Sequence, residues 1–442
     1  MENKKDRKIT AWFFVLVFSL VPLLTQAQEE ISPGMEEDPS MEYIHDYLVT
    51  AAENNPELKA LFNRYLAALE EVKQEGVLPD PQLSFGYFIL PVETRVGEQK
   101  ANASFSQMFP WFGTLDAKQR VAAERARIAL HLFNVAKAEL YRDIRITYNE
   151  LYYLEKAIAI TEENLKLLES FKGIAEVTFE SGKAGFSSVL QVQIEEEELQ
   201  SELEFLLDSR LPLLTEFEQL LNTDLEEPVD LPDSLWEEQL LLEKSEIYEE
   251  ILATSPHIVH MRHEAQVHEY EAEVAEKMGM PSFTLGTSYT YISPRTNLES
   301  GMAIPDNGQD VFMFPQLGIR LPIYRKKYKA MKKEALLRQE AVGFEIENLE
   351  NELLTEMEQR YRDYLEAQRK VELYTRLTTL AEQSLRLLQT ELATGQNDLF
   401  EIIRMERRLL NYRLELAKAR TEKNNNVYRI HYLMGEQHEQ DR

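Results

Sequence analysis

No cysteine occurs among the 442 residues. That absence excludes disulfides, thiolate-bound metals and a lipid carried on an N-terminal cysteine. Positive charge is in short supply. Lys and Arg number 48 against 77 Asp and Glu, for a net charge of −29. So acidic a chain does not bind nucleic acid non-specifically. Beyond the N-terminus no apolar run reaches the length of a transmembrane helix. Phosphate-binding loops, nucleophile elbows and HExxH motifs are also missing. No enzymatic activity and no cofactor are therefore expected. Carboxylate runs such as Glu195 to Glu198 read as solvated or inter-helix faces rather than catalytic pairs.

The one long apolar run opens the chain. Lys4, Lys5, Arg7 and Lys8 precede Ile9 to Leu24, which only Thr10, Ser19 and Pro22 interrupt. Thr25-Gln26-Ala27 then presents small residues where a signal peptidase reads. The pattern predicts a signal peptide over residues 1–27. A retained anchor is the alternative, but the run is slightly short for a span and a polar acidic stretch follows. Losing those four basic and two acidic residues takes the net charge from −29 to −31. An exported chain with no further apolar helix is periplasmic, secreted, or part of a β-barrel, the other structure that crosses lipid.

Sliding the sequence against itself reveals a duplication. Asn55-Pro56 matches Ser255-Pro256, and Pro81-Gln82-Leu83-Ser84-Phe85-Gly86 matches Pro281-Ser282-Phe283-Thr284-Leu285-Gly286, all at an offset of 200. Gly182 matches Gly395 and Leu220 matches Leu433 at an offset of 213. The extra residues fall in the Pro-, Gly- and Asn-rich stretch from Ser293 to Asp310, an enlarged loop. The first repeat covers residues 28–222, with strands near 81–91 and 99–110. A connector follows at 223–244, with room for a short helix. The second repeat covers 245–435, with strands near 281–293 and 310–321, and 436–442 is a polar tail.

Each repeat has one order: a helix, two strands, a very long helix, a glycine-centred break and a third helix. The first helix is expected unbroken from Met41 to Gly76. The long helix runs from about Thr114 to Phe179. At 1.5 Å per residue its ~65 residues span about 98 Å. So long a rod needs partners along its whole length. Leu151, Leu154, Ile158, Thr161, Leu165, Leu168, Lys172, Ala175 and Phe179 form a three–four seam for them. In the second repeat the seam is Tyr364, Ala367, Val371, Tyr374, Thr378, Ala381, Leu385, Leu388 and Leu392. An ordinary long helical bundle explains these seams equally well.

The strands alternate. Leu83, Phe85, Tyr87 and Ile89 stand opposite Gln82, Ser84, Gly86 and Phe88. Phe283, Leu285, Tyr289 and Tyr291 stand opposite Ser282, Thr284, Gly286, Ser288 and Thr290. The fourth strand is less regular, with Val311, Met313, Leu317, Ile319 and Leu321 in one series. Strands of ~10–12 residues have the span of tilted transmembrane strands. A half-buried soluble sheet has the same alternation. Four strands cannot close a barrel in one chain, and three copies supply about twelve.

Taken together, these features resemble the TolC-type outer-membrane efflux family, the outer membrane factors of tripartite export systems. The resemblance rests on Asn-Pro-Glu-Leu at 55–58, Pro-Asp-Pro-Gln-Leu at 79–83, Gln-Met-Phe-Pro-Trp-Phe-Gly at 107–113 and the breaks at Gly182 and Gly395. It implies a mainly α fold with a small β part. A long coiled-coil α-barrel would hang from a transmembrane β-barrel shared by a homotrimer. It implies an outer-membrane exit channel with a periplasmic extension. The hairpin tips, at Gly182, Lys183, Gly395 and Gln396, would meet a periplasmic adaptor and an inner-membrane pump, with heavy-metal pumps among those the motif style resembles. Cargo would be heavy-metal cations or small toxic compounds. In such channels acidic residues six and nine positions after the second tip glycine narrow the closed end. Here those positions are Glu401 and Arg404, and after Gly182 they are Ser188 and Gln191. Arg404 departs from the pattern and is free to pair with Glu401 or Glu406.

Two clusters remain. His257, His260 and His263 lie along one side of a helix, where neutral imidazoles bind Cu, Zn or Ni. Polar residues on an amphipathic face explain them as well, so no metal is assigned. Arg325, Lys326, Lys327, Lys329, Lys332 and Lys333 form a basic run after the fourth strand. Two rival readings stand beside the channel: a soluble periplasmic coiled-coil adaptor or scaffold, and an enzyme using the His cluster.

Overall fold

A computed structural model describes residues 41–182, 185–295, 306–393 and 399–435. The expected signal peptide, the polar tail and positions 296–305 of the enlarged loop lie outside the described residues. Tyr43 to Arg442 form one compact unit. The first repeat consists of α1 (Met41–Asn54), α2 (Pro56–Glu75), β1 (Gln82–Thr94), β2 (Gly97–Phe109), α3 (Thr114–Glu180) and α4 (Phe186–Leu221). The second consists of α5 (Lys244–Thr254), α6 (Pro256–Met278), β3 (Ser282–Ser293), β4 (Val311–Arg320), α7 (Arg325–Ala393) and α8 (Leu399–Met434).

The first helix of each repeat is two helices, not one. Proline has no N–H to continue a helix and drives the residue before it out of the helical region. Asn55 accordingly has ψ 120° and Ser255 ψ 124°. Glu57 and Leu58 donate their backbone N–H groups to Asn55 Oδ1 at 2.9 and 3.0 Å, which caps α2. The connector contains no helix among residues 223–243. It is held as a strap instead. Asn424 donates to the Trp236 carbonyl and accepts from the Glu238 N–H, both at 2.9 Å. Tyr148 donates to the Asp230 carbonyl at 2.7 Å.

α3 and α7 have 67 and 69 residues, about 100 Å each at 1.5 Å per residue. α3 packs against α2 and α6 toward the sheet, and against α4 and α8 toward the tips. α7 packs on α6 and α8, with a smaller contact to α5. The helices thus form a wall four rods wide at each level, with α2 and α4 on one flank and α7 on the other. The expected seam of α3 is buried at Leu151, Leu154, Ile158, Thr161, Leu168 and Ala175, while Phe179 at the tip end is exposed. Ala157, Ile160 and Asn164 form a second buried line, because α3 has neighbours on both sides. Separate cores gather where α1 meets α2, around Tyr148 and Phe217, and where α5 meets α6, around Met357 and Ile430.

The four strands form one antiparallel sheet in the order β1-β2-β3-β4. Phe85, Ala103, Tyr289 and Phe312 lie side by side in one row, and Ser84, Ser104, Ser288 and Met313 in another. One face is therefore apolar and the other small or polar. A bulge between Gly286 and Ser288 corrects the series expected for β4. It reverses the alternation, so Phe312 joins Leu317 and Ile319 on the apolar face, while Val311 and Met313 move to the polar one.

Candidate channel wall and hairpin tips

The strands have 13, 13, 12 and 10 residues, enough to cross a bilayer when tilted. Among the described residues no helix is long and apolar enough to cross a membrane. The apolar face of the sheet is uncovered. Phe85 is 76% exposed, Ile89 88% and Leu317 76%. A soluble sheet would bury that face against its helices. Here the helices continue the sheet end-on and leave it bare. Trp111 stacks on Phe283 at 6.0 Å, and Phe112 beside it is exposed, as aromatics at a membrane–water boundary are.

At the far end of the wall, the first tip is a glycine turn. Gly182 has φ +71°, a conformation glycine adopts without strain. Its N–H donates to the Phe179 carbonyl at 2.8 Å. Phe179 and Phe186 meet across the turn with ring centroids 5.3 Å apart. Lys183, Gly395 and Gln396 lie outside the described residues. Of the four gate candidates, Ser188 is half-buried and Gln191 exposed. Glu401 and Arg404 pair with each other at 3.0 Å, and the Arg404 guanidinium also sits 4.6 Å from the Phe400 ring centre. Arg404 thus takes Glu401, not Glu406, as its partner.

Glu406 is buried between the repeats. Burial raises its carboxyl above the usual range, against the opposing pull of Arg413, and Glu163 adds to the rise. Around it Arg407 bridges to Glu195 at 3.1 Å, and Arg413 to Glu382 at 3.2 Å. These links tie α8 to α4 and α7. No sequence pattern announced them, because each joins two different helices.

The histidines do not converge. His257 Nε2 lies 2.9 Å from the Tyr432 hydroxyl. His260 is half-buried with Nδ1 unpartnered. His263 pairs with the buried Glu124 of α3 and stacks on His131, ring centroids 4.7 Å apart. Among the described residues no group of three or more His, Asp or Glu side chains is placed to hold a metal. His131, which sequence spacing did not single out, joins the cluster only because α3 and α6 pack together. Burial lowers the pKa of His131 and of His260. For His131, His263 and His260 push the same way and Glu124 opposes. For His260, Glu264 opposes while His257 and His263 add to the fall.

A wall of long helices continued by a short sheet with a bare apolar face defines a subunit of a membrane channel. The model of the family described as "Outer membrane efflux protein" matches residues 47–223 and again 247–436, and the chain belongs to that family. Both matched segments are one helix–hairpin–helix repeat. Among solved structures, the chain is similar to CusC, whose description speaks of transmembrane channel formation. The two share 16% identity with a TM-score of 0.73, over 90% of this chain and 92% of that one. It is also similar to the outer membrane protein VceC of Vibrio cholerae, at 16% identity and TM-score 0.69, over 89% and 97%. A third is the outer membrane channel MtrE of Neisseria gonorrhoeae in its open state, at 17% and 0.68, over 89% and 88%. No curated protein sequence matches. The protein is an outer-membrane protein with its helices extending into the periplasm, and it belongs to a family of efflux channels rather than enzymes. The soluble adaptor and the His-cluster enzyme are thereby set aside.

Proposed function

We propose that three copies of this chain form the exit duct of a tripartite efflux system. An inner-membrane pump would drive it through a periplasmic adaptor. The observation that carries the reading is the pair of open edges. β1 and β4 each lack a neighbour on one side, and unpaired strand edges in lipid are untenable. Joining β1 of one copy to β4 of the next satisfies both. Twelve strands, about the number of a mid-sized barrel, then close. The same contact brings α4 of one copy against α7 of the next. Cross-linking of the detergent-purified protein tests this, with trimers expected. A processed chain that remains monomeric in water without detergent would sink the reading.

In this duct the tips around Gly182, Lys183, Gly395 and Gln396 meet the adaptor, and the narrow end lies near Glu401, Arg404, Ser188 and Gln191. The ion pair changes what the gate does. A ring of free carboxylates selects cations, but Arg404 neutralises Glu401. Arg404→Gln is expected to raise the cation preference in a bilayer conductance measurement, and Glu401→Gln to shift it toward anions. Unchanged reversal potentials in both variants would remove these residues from the gate. Small toxic compounds and heavy-metal cations are the cargo classes to test. A deletion strain exposed to dyes, detergents, copper and silver separates them by which sensitivity increases.

A further inference from the structure

A cavity of about 840 Å³ lies where the sheet meets the helices. On the sheet side its wall includes Met108, Ser282 and Arg320. These stand in register with the polar face, opposite the bare apolar one. These sheet residues belong to the face that a closed barrel turns inward, toward water, while Trp111 of the same lining reaches Phe283 on the apolar face. Much of its lining is soft and aromatic: Trp111, Met278, Met280, Tyr324 and Tyr328.

Its charge is opposite to that of the protein. Lys118, Lys277, Arg320 and Lys327 line it, against Glu75 and Asp80. Lys118 is taken by Glu75 at 3.0 Å. Among the described residues Lys277, Arg320 and Lys327 have no carboxylate in ion-pair range, and Lys327 rests 5.7 Å from the Tyr328 ring centre. The N-terminus of α3 adds to this field. Gly113 caps it without any side chain, although the Thr114 N–H is donated to the Trp111 carbonyl at 3.0 Å and Asp116 lies in the first turn. Thr114, at that end, lines the cavity. It is 5% exposed, and its Oγ1 has no hydrogen-bond partner. A buried polar atom without a partner is costly unless something fills the role.

We propose that this cavity is a contact site for amphipathic organic anions in transit: an aromatic or alkyl body bearing a sulfonate, carboxylate or phosphate. The anionic group is drawn by Lys277, Arg320 and Lys327, Thr114 Oγ1 donates a hydrogen bond to it, and the body lies on the Met and aromatic lining. The inference rests on the duct reading, since only there is the polar face an interior wall. The neutralised Glu401–Arg404 pair fits the same cargo, because it leaves no bare acidic ring at the entrance to repel anions.

The test uses the full-length trimer in planar bilayers of phosphatidylcholine. The probes are 8-anilinonaphthalene-1-sulfonate and the uncharged N-phenyl-1-naphthylamine. The sulfonate is expected to block current in the unmodified protein at about tenfold lower concentration than in the variant K277Q/R320Q/K327Q. Thr114→Val is expected to weaken the block about threefold with unchanged conductance. The uncharged probe should act equally on all three proteins. Equal block by the sulfonate in every protein overturns the proposal. So does inorganic phosphate acting at the same concentration as the sulfonate, which marks a plain anion site. Phospholipid retained by the purified trimer and lost in the triple variant also overturns it, because the cavity would then be a lipid seat. A chain that gives no conductance at all sinks the duct reading along with it, whereas normal conductance with equal block sinks this inference alone.

Discussion

α4 and α8 occupy matching positions in the two repeats, yet they live in opposite surroundings. α4 packs mainly on α3 and has a free flank, while α8 is held between α3 and α7. Phe205 and Leu211 of α4 are 70% and 71% exposed. Their counterparts at an offset of 213 are Lys418 and Asn424, and Asn424 is fully buried. Apolar Leu211 thus lies outside and polar Asn424 inside, the reverse of a globular rule, while Lys418 is exposed like Phe205. Each inversion has a partner behind it. The buried amide of Asn424 completes the backbone of the connector, Asn149 donates to Asn425 at 2.8 Å, and Lys423 reaches Glu237 at 3.1 Å. Among the described residues the exposed apolar flank of α4 has no such partner. A second copy would supply one. Duplication thus copied a fold, and position in the wall then assigned each copy its chemistry.

This contrast can be broken experimentally. The largest expected effect is on assembly. Phe205→Asp with Leu211→Asp should abolish the trimer while helicity by circular dichroism is kept, because two apolar side chains of ~1.5–3 kcal/mol each become desolvated charges in every interface. A variant that still runs as a trimer by light scattering would show that this flank meets no second copy. Next comes Asn424→Ala, which strands the Trp236 carbonyl and the Glu238 N–H. Unfolding stability should drop by about 2–4 kcal/mol. A Leu211→Asn change at the matching place strands no polar group and should cost less, and equal losses at both would erase the contrast.

Smaller effects come from titration. Glu406→Gln removes a carboxylate whose ionisation burial opposes. It should raise stability at neutral pH by about 1 kcal/mol, read as a higher melting temperature; a lower one would mean that Arg413 already compensates the charge. The smallest effect is the pH response of the α3–α6 contact. His131 and His260 bind protons less readily folded than unfolded. Stability is therefore full above the ordinary histidine value of 6.5 and declines as pH falls below it. Replacing both with Gln should flatten the melting temperature between those conditions. A slope that persists in the variant would place the acid sensitivity elsewhere.

Much of the fold was legible in the chain because its signals are local. Prolines, glycines and alternating strands set element order and the duplication, and strand ends were anticipated to within a few residues. Three features escaped. The Asn55-Pro56 and Ser255-Pro256 breaks were in plain view, yet the helical periodicity on both sides concealed them. The bulge in β4 inverted a strand whose sequence is apolar in both registers near Phe312, Met313 and Phe314. His131 joined the other histidines through packing, not spacing. The glycine breaks were legible as a pattern, but the adaptor and gate roles came from resemblance; the structure adds the Gly182 turn and the Glu401–Arg404 pairing, not those roles.

What the sequence by itself determined was the set of periodic elements, because helix and strand periods are written in neighbouring residues and each repeat states them twice. Which face of the sheet stands bare, which of two equivalent helices is enclosed, and which cations are left without a counter-charge were decided only by tertiary structure. Those properties depend on what lies beside a residue in space, which the order of residues along the chain does not state.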